Sequence, residues 1–361
     1  MKSKIINLYN LLKFCPYSNR KKINLNEVNR VLFLHVGNSG IGDVIMSLPT
    51  LKALNDFFCN DNVDVVYPKE VSFLFKYYDL NKIYYKENKG FDINLIKKLR
   101  KKKYDLIITN HPVSSFYASF LRYDYIIGIL WDLFDDYGRT IQANFKNHKK
   151  ITQLTDDRIG KNLLLLYSLG IIDLNKFYEY RESYKNVRKY FLPYFEKIFK
   201  KPNCFFNSQK TKIILYFKKW SIFKEEFLIN LVNELEKHGD FVFYLIGPSG
   251  DSVSIDVKKD NFIKANDLSW EETLYILKNS DIVICEDSSI LHFSLLFGKK
   301  TIGLFPYHIS PYLRVPYEYI KDMVFINSFL EHDSGKVIKE KNVELLKFKE
   351  IWIEEIVKRL F

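Results

Sequence analysis

The sequence predicts an α/β protein with two domains, each built around a parallel β-sheet. Apolar, strand-like runs alternate with helix-like segments in both halves of the chain, as in βαβ units. The alternation stops in the charged and polar segment 181–210 and then starts again. A chain of 361 residues is long enough for two domains that each bury a core.

Each half supplies four strand-like runs with helix-like segments between them. In the first half the predicted strands are 31–36, 63–67, 104–110 and 125–129, with helices ending near Phe58 and covering 94–104 and 150–170. In the second half the predicted strands are 212–217, 241–247, 281–286 and 300–305, with helices over 223–238, 270–280, 288–297 and 342–360. Ser269 and Glu272 have the spacing of a capping box.

The pattern divides the chain into four parts. They are a basic N-terminal extension (1–30), a first domain (31–190), a second domain (205–340) and a C-terminal helix (341–361). In the extension, Ile5, Leu8 and Leu12 share one helical face among lysines. This is expected either of a helix on an anionic membrane or of a segment that packs on the fold.

The composition indicates an anionic partner. Lys and Arg outnumber Asp and Glu by 55 to 43, and the net charge of +12 suits a phosphorylated substrate, nucleic acid or an acidic membrane surface. We expect no nucleic-acid partner, because the sequence contains no recognised binding module. The four cysteines have no metal-ligand spacing, and no apolar stretch is long enough for a membrane span. We therefore expect a cytoplasmic protein without a bound metal, and a core position for Cys285.

The turn GNSGIGD (37–43) lies between a predicted strand and a predicted helix. Gly40 and Gly42 would let backbone N–H groups approach a ligand at the helix N-terminus. The spacing matches neither the dinucleotide motif GxGxxG nor a P-loop. Asp43 is explained either as a capping carboxylate that offsets the helix dipole or as a general base at the carboxyl end of a strand.

The turn EDSSILH (286–292) occupies the same position in the second half. Asp287 or Ser288 would cap the following helix, and the N–H groups of residues 288–290 would bind a diphosphate. His292 either packs on the helix face or contacts this site.

Two other strand ends of the second half carry polar groups. Lys218 or Lys219 follows the strand 212–217 and either neutralises a phosphate or is an ordinary surface lysine. In the turn GPSGD (247–251), Asp251 either accepts hydrogen bonds from ribose hydroxyls or is solvated. With the turn at 286–292, these residues place donors, a lysine and a carboxylate at three strand ends of one sheet.

Five motifs in order resemble those of glycosyltransferase family 9, the heptosyltransferases of lipopolysaccharide core assembly. They are VGNSGIGDVIMSLPTLKAL, NLLLLYSLGI, Lys218-Lys219-Trp220, GPSGD, and DSSILH followed by TIGLFP, and they extend from about residue 31 to residue 316. The resemblance implies a GT-B fold, with two Rossmann-like domains whose parallel sheets face each other across a cleft. It also implies that the last helix packs back toward the first domain.

The resemblance assigns roles to the candidate residues. Asp43 would be the base that accepts a proton from the acceptor hydroxyl, and Lys218 would neutralise the donor phosphates. The implied nucleotide-sugar contacts are Asp251 near the ribose and Asp287, Ser288 and Ser289 at the diphosphate. From the pattern of the residues we also expect contacts from His292, Gly40 and Gly42. Ser289 and Pro306 stand where the family pattern has glycine.

The implied reaction is an inverting, metal-independent transfer of heptose from ADP-heptose to a lipopolysaccharide or lipooligosaccharide core. No cofactor is expected beyond the nucleotide-diphosphate sugar, which is a co-substrate. A phosphorylated glycolipid acceptor would bring the enzyme to the anionic inner face of the inner membrane. The alternatives are a relative that transfers a different sugar to a surface glycan, and a non-catalytic nucleotide-sugar-binding protein.

Overall fold

The chain forms two compact units in the computed structural model, Met1–Val187 and Arg188–Phe361. The structure describes residues 23–36, 40–76, 82–87, 91–128, 130–131, 140–141, 158–182, 193–205, 208–218, 221–248, 257, 259–306, 324–327, 329–331, 337–341 and 349–361. The division between the units falls within 181–210, where the alternation of strands and helices stops.

The first unit contains a five-stranded parallel sheet in the order β3-β2-β1-β4-β5. Its strands are β1 (Val31–Leu34), β2 (Val63–Pro68), β3 (Lys82–Lys86), β4 (Lys103–Thr109) and β5 (Arg122–Gly128). Its helices are α1 (Ile41–Phe58), α2 (Ile93–Arg100), α3 (Pro112–Ala118), α4 (Arg158–Leu169) and α5 (Leu174–Glu182). This unit also contains a short antiparallel pair, β6 (Leu130–Trp131) and β7 (Thr140–Ile141), and three short 3-10 helices, Leu25–Glu27, Asn60–Asn62 and Lys69–Phe75.

The second unit contains a six-stranded parallel sheet in the order β10-β9-β8-β11-β12-β13. Its strands are β8 (Thr211–Tyr216), β9 (Phe241–Pro248), β10 (Phe262–Leu268), β11 (Ile282–Glu286), β12 (Lys300–Phe305) and β13 (Val324–Asn327). Its helices are α6 (Glu225–Leu235), α7 (Trp270–Lys278), α8 (Ser289–Leu296) and α9 (Lys349–Leu360). An antiparallel pair, β14 (Phe329–Glu331) and β15 (Val337–Lys341), follows β13.

The central strands of both sheets are buried on both faces. All four residues of β1 have 0% exposure, as do Ile213, Ile214 and Leu215 of β8. Continuous apolar runs of this kind are typical of parallel sheets covered by helices on both sides. Polar groups that serve a ligand therefore have to come from the loops that follow these strands.

The C-terminal helix α9 belongs to the core of the second unit. Trp352 is fully buried, and its ring lies 5.0 Å from that of Phe223 in an edge-to-face contact. Ile356 and Leu360 continue the same buried face against α6. The second unit thus includes the helix that the sequence set apart as 341–361. Packing of this helix toward the first unit stays a prediction.

Most predicted helices and strands are found within a few residues of their predicted bounds, and one predicted helix ends earlier than expected. The capping box is confirmed: Glu272 N–H donates to Ser269 Oγ at 3.2 Å, and Ser269 N–H donates to Glu272 Oε2 at 3.1 Å. Cys285 is buried, as predicted, and burial raises the pKa of its thiol. The helix predicted over 94–104 ends at Arg100, because its apolar stripe stops at Leu99 and the next inward positions are lysines.

No helix in the described part of the chain is long and apolar enough to cross a membrane.

Candidate active site

The strand order of the first sheet reverses at β1, so the gap between the ends of β1 and β4 is the topological switch point of this sheet. From β1 the chain adds β2 and β3 on one side, and then β4 and β5 on the other. Parallel α/β sheets bind ligands at such a point, outside the carboxyl ends of the strands. His35 and Val36 follow β1 here, and Asn110 and His111 follow β4. The candidate groups of the first unit lie near these two strand ends.

The Asp43 side chain lies in the first turn of α1 and makes two contacts. Its Oδ2 accepts a hydrogen bond from the Gly40 N–H at 3.2 Å, the capping interaction expected of a carboxylate at this position. Its Oδ1 forms an ion pair with Arg158 Nη1. The side chain keeps 23% of its surface exposed, so a solute can reach it. The capping role is confirmed, and the role of general base stays a prediction.

Arg158 is a site residue that the sequence did not single out. It begins α4, which packs against α1 and brings the guanidinium to Asp43 across 115 residues of sequence. A guanidinium beside a carboxylate fixes its orientation and favours its ionised form. The only sequence signal is an arginine at the start of the apolar segment RIGKNLLLLYSLG, which does not identify the partner.

The two glycines of this turn have different surroundings. A Cβ placed on Gly40 would meet no atom within 4 Å, and its φ of −71° is available to any residue. Among the described residues, therefore, nothing in the fold requires glycine at position 40. Gly42 lies in the first turn of α1 and is half-buried. Contact of either glycine with a ligand stays a prediction.

Hydrogen bonds tie the end of β1 to the end of β4. Asn110 Nδ2 lies 2.6 Å from His35 Nδ1. Val36 N–H donates to Ser114 Oγ at 2.9 Å, and the His111 side chain caps the start of α3. The residues that follow β1 are thus fixed on the side of β4 before the glycine-containing turn begins.

Both histidines at these strand ends are neutral at pH 7. Burial lowers the pKa of His35 to about 3, and the nearby His111 and Arg158 act in the same direction, while the hydrogen bond with Asn110 opposes them. Burial lowers the pKa of His111 to about 4. Protonating either ring would place a positive charge in a poorly solvated position, and at His35 that charge would also be repelled by Arg158.

We expect the first unit to lose stability as the pH falls from 7 to 5. The unfolded chain binds a proton on each histidine near pH 6.5, whereas the folded chain does so only near pH 3 to 4. The stability is therefore complete above pH 6.5 and is lost below it, by about 2 kcal/mol per histidine at pH 5. Urea unfolding at both pH values measures this loss. His35→Gln should show a smaller pH dependence, and an unchanged dependence would contradict the assignment to His35.

The strand order of the second sheet reverses in the same way at β8, so its switch point lies between the ends of β8 and β11. From β8 the chain adds β9 and β10 on one side, and then β11, β12 and β13 on the other, which is the strand order of dinucleotide-binding domains. Lys218 follows β8, and the turn at 286–288 closes β11. The structure therefore brings Lys218 and the turn at 286–292 to adjacent strand ends, as the sequence predicted.

Glu286 joins these two strand ends. Its Oε2 accepts a hydrogen bond from the Lys218 backbone N–H at 2.7 Å, and its Oε1 accepts one from Ser221 Oγ at 2.8 Å. The side chain is 3% exposed, and burial raises the pKa of its carboxyl while the bonds from Lys218 and Ser221 oppose that rise. Sequence reasoning missed this role, because the bonds span 68 and 65 residues. Glu286 fixes the backbone that carries the candidate lysine.

Ser288 occupies the N-cap position of α8, one of the two positions predicted. Its hydroxyl does not cap the helix; Ser288 Oγ donates to the Glu286 carbonyl at 2.9 Å. The Ser288 side chain therefore does not compete for the N–H groups of the first turn, where Ser289 is half-buried. Such N–H groups at a helix N-terminus favour an anion.

The other candidates divide between buried and undescribed positions. Asp287 is 8% exposed, and its N–H donates to the Leu304 carbonyl at 3.3 Å. His292 is 2% exposed on α8, which agrees with packing on the helix face. Asp251 and Lys219 lie outside the described residues. Within the described ranges, no group of three or more His, Cys, Asp or Glu side chains has the arrangement of a metal site.

Solved structures of similar fold cover most of the chain. A glycosyl transferase family 9 protein from Veillonella parvula has a TM-score of 0.55 at 14% identity, covering 92% of this chain and 99% of that one. Escherichia coli heptosyltransferase WaaC with ADP-2-deoxy-2-fluoro heptose has a TM-score of 0.54 at 14% identity, covering 91% and 99%. Escherichia coli ADP-heptose lps heptosyltransferase II has 0.54 at 15%, covering 91% and 99%. The fold is GT-B.

The two Rossmann-type sheets have the GT-B architecture, and a family match over most of the chain defines the class as a glycosyltransferase that uses a nucleotide sugar. Residues 93–342 match the sequence profile of glycosyltransferase family 9 (heptosyltransferase). The chain belongs to glycosyltransferase family 9. The matched range includes Arg158 and Lys218 and begins after Asp43. No curated protein gave a significant match to the sequence.

Proposed function

We propose that the protein transfers heptose from ADP-heptose, with inversion, to a sugar of a lipopolysaccharide core. The observation that carries this proposal is the separation of chemical roles between the two switch points. The first unit presents an accessible carboxylate, Asp43, and the second presents Lys218 beside a helix N-terminus. The donor and acceptor follow from similar structures, which are named for ADP-heptose and lps and include a fluoro-heptose analogue.

The second unit would bind the donor and stabilise the leaving group. Negative charge grows on the diphosphate as the bond to the sugar breaks. The Lys218 ammonium and the N–H groups at the start of α8 would offset that charge. With these groups in place the reaction requires no metal ion. Ser288, Ser289 and Asp287 line the same strand end, and Asp251 would bind the ribose.

The first unit would activate the acceptor. Asp43 accepts the proton of the acceptor hydroxyl while the hydroxyl oxygen bonds to the anomeric carbon of heptose. The bond from that carbon to the diphosphate oxygen breaks at the same time, and the nucleoside diphosphate leaves with the electron pair. A single displacement of this kind inverts the anomeric configuration. Arg158 orients the carboxylate until the acceptor arrives.

A lipid-linked acceptor would place the protein at the inner face of the inner membrane. The net charge of +12 favours an anionic lipid surface. The basic segment 1–22, which lies outside the described residues, is the predicted contact. Co-sedimentation with phosphatidylglycerol vesicles, with and without residues 1–22, tests this contact; equal binding would assign it elsewhere.

The proposed reaction can be tested with ADP-heptose and a heptose-free lipopolysaccharide core whose fatty acids have been removed. We expect mass spectrometry to show one added heptose, and NMR to show an anomeric configuration opposite to that of the donor. GDP- and UDP-sugars serve as comparison donors. Preferred use of a GDP- or UDP-sugar would contradict the proposed donor. Retention of the anomeric configuration would contradict the proposed inverting mechanism. Donor binding without transfer to any acceptor would indicate a binding protein.

A further inference from the structure

Two buried polar atoms at the switch point of the first sheet have no hydrogen-bond partner among the described residues. They are His35 Nε2 and Asn110 Oδ1. The two side chains are 3% and 9% exposed, and their other polar atoms lie 2.6 Å apart. Buried polar groups are nearly always hydrogen-bonded in folded proteins, because an unmade bond disfavours folding. An unpaired donor and acceptor at a ligand-binding strand end point to a ligand as the missing partner.

His35 and Asn110 together offer a ligand one hydrogen-bond donor and one hydrogen-bond acceptor, and the pair carries no net charge. When Asn110 Nδ2 donates to His35 Nδ1, the ring carries its proton on Nε2 and Asn110 Oδ1 remains an acceptor. When the amide is reversed, the two roles exchange, and the pair still offers one of each. A phosphate has no hydrogen to donate and favours a positive site. A hydroxyl group fits both atoms, because it accepts one hydrogen bond and donates another.

Arg158 connects the pair to the candidate base. It lies near enough to His35 to lower the pKa of that ring, and it forms the ion pair with Asp43. On the other side, the Tyr67 ring packs against His35 with 5.5 Å between the ring centres. The pair therefore lies in the same part of the first unit as Asp43, and its ring is held in place by packing.

We propose that His35 and Asn110 recognise a hydroxyl group of the acceptor sugar, on the same molecule whose reactive hydroxyl meets Asp43. This inference rests on the proposed function and deepens it, since it adds two residues that position the acceptor and select for a hydroxyl, not an anionic group, at this point of the ligand.

The test compares acceptor and donor kinetics of His35→Phe and Asn110→Leu, with ADP-heptose and the heptose-free core as substrates. Each variant should raise the acceptor KM on the order of 10- to 100-fold, because a site built for a hydroxyl is left with an unpaired group. The donor KM should stay within twofold, and kcat should change far less than the acceptor KM. The acceptor KM of the double variant should rise by less than the product of the two single-variant increases, because both residues bind the same hydroxyl.

Thr50→Val is the matched control. Thr50 Oγ1 is also buried without a described partner, but it lies on α1, away from the strand ends. This variant should leave the acceptor KM within twofold. NMR provides a second measurement: the core saccharide alone should shift the ring signals of His35, and ADP alone should not.

The outcomes separate this inference from the proposed function. Transfer by the wild-type protein with an unchanged acceptor KM in both variants would overturn the inference and leave the function in place. Equal increases in the donor KM and the acceptor KM, or a matching increase of the acceptor KM in Thr50→Val, would show a purely structural effect and would also overturn the inference. A wild-type protein that transfers no heptose to this core would remove the proposed function, and the inference with it.

Discussion

Replacing Asp43 with asparagine is expected to lower sugar transfer about 10³-fold and to leave donor affinity within twofold. A general base contributes roughly 10² to 10⁴ to the rate, and an amide cannot accept the proton. Asparagine keeps an oxygen that can accept the Gly40 N–H, so the start of α1 should remain intact. Initial rates and calorimetric donor binding measure the two quantities.

Two further variants separate catalysis from structure at Asp43. Arg158→Gln removes the ion pair but not the carboxylate, so it should lose far less activity than Asp43→Asn. Asp124→Asn removes an exposed carboxylate near the amino end of β5, where it pairs with Lys103 at 2.8 Å, and should have no effect. Equal losses from Asp43→Asn and Arg158→Gln would show that Asp43 acts only through its structural contacts.

Lys218→Ala is expected to lower transfer about 10²- to 10³-fold and to weaken binding of the donor. Removing one group that stabilises developing negative charge has an effect of this size. The fold should survive, because Glu286 accepts the backbone N–H of residue 218, which alanine retains. Lys218→Arg should restore part of the donor affinity, since it keeps the charge.

Lys210→Ala is the control for the lysine. Lys210 is exposed before the amino end of β8 and pairs with Asp240 at 2.8 Å, at the opposite edge of the same sheet. Its loss should leave transfer and donor affinity within twofold. If Lys218→Ala behaves like this control, the leaving group must be stabilised by other groups.

The sequence predicted the central strands of both large sheets and the edge strand β5, but it missed the edge strands β3, β10 and β13. β1 is wholly apolar, and β8 and β11 each contain an apolar run of four buried residues, so their positions follow from burial. β3 reads KIYYK, and β10 reads FIKANDL, which mix charged and turn-forming residues. Both lie at the edge of a sheet, where one side of the strand pairs with no other described strand and burial restricts the residue types less.

The candidate site was predicted at its turns but not at its long-range pairs. Strand–turn–helix patterns were sufficient to single out Asp43, Lys218 and Ser288. The partners Arg158, Asn110 and Glu286 lie 115, 75 and 68 residues from the groups they contact. Such pairs depend on which strands become neighbours, and single-sequence patterns do not encode strand order.

The bridge made by Glu286 has a consequence for turnover. Because one buried carboxylate accepts hydrogen bonds from the Lys218 backbone N–H and the Ser221 hydroxyl, the proposed diphosphate site is assembled during folding and does not wait for the substrate. A binding site that is formed in advance binds the departing nucleotide as well as the intact donor. We therefore expect ADP to compete strongly with ADP-heptose, so that product inhibition limits the steady-state rate as ADP accumulates. A competitive inhibition constant for ADP far above the donor KM would contradict this view.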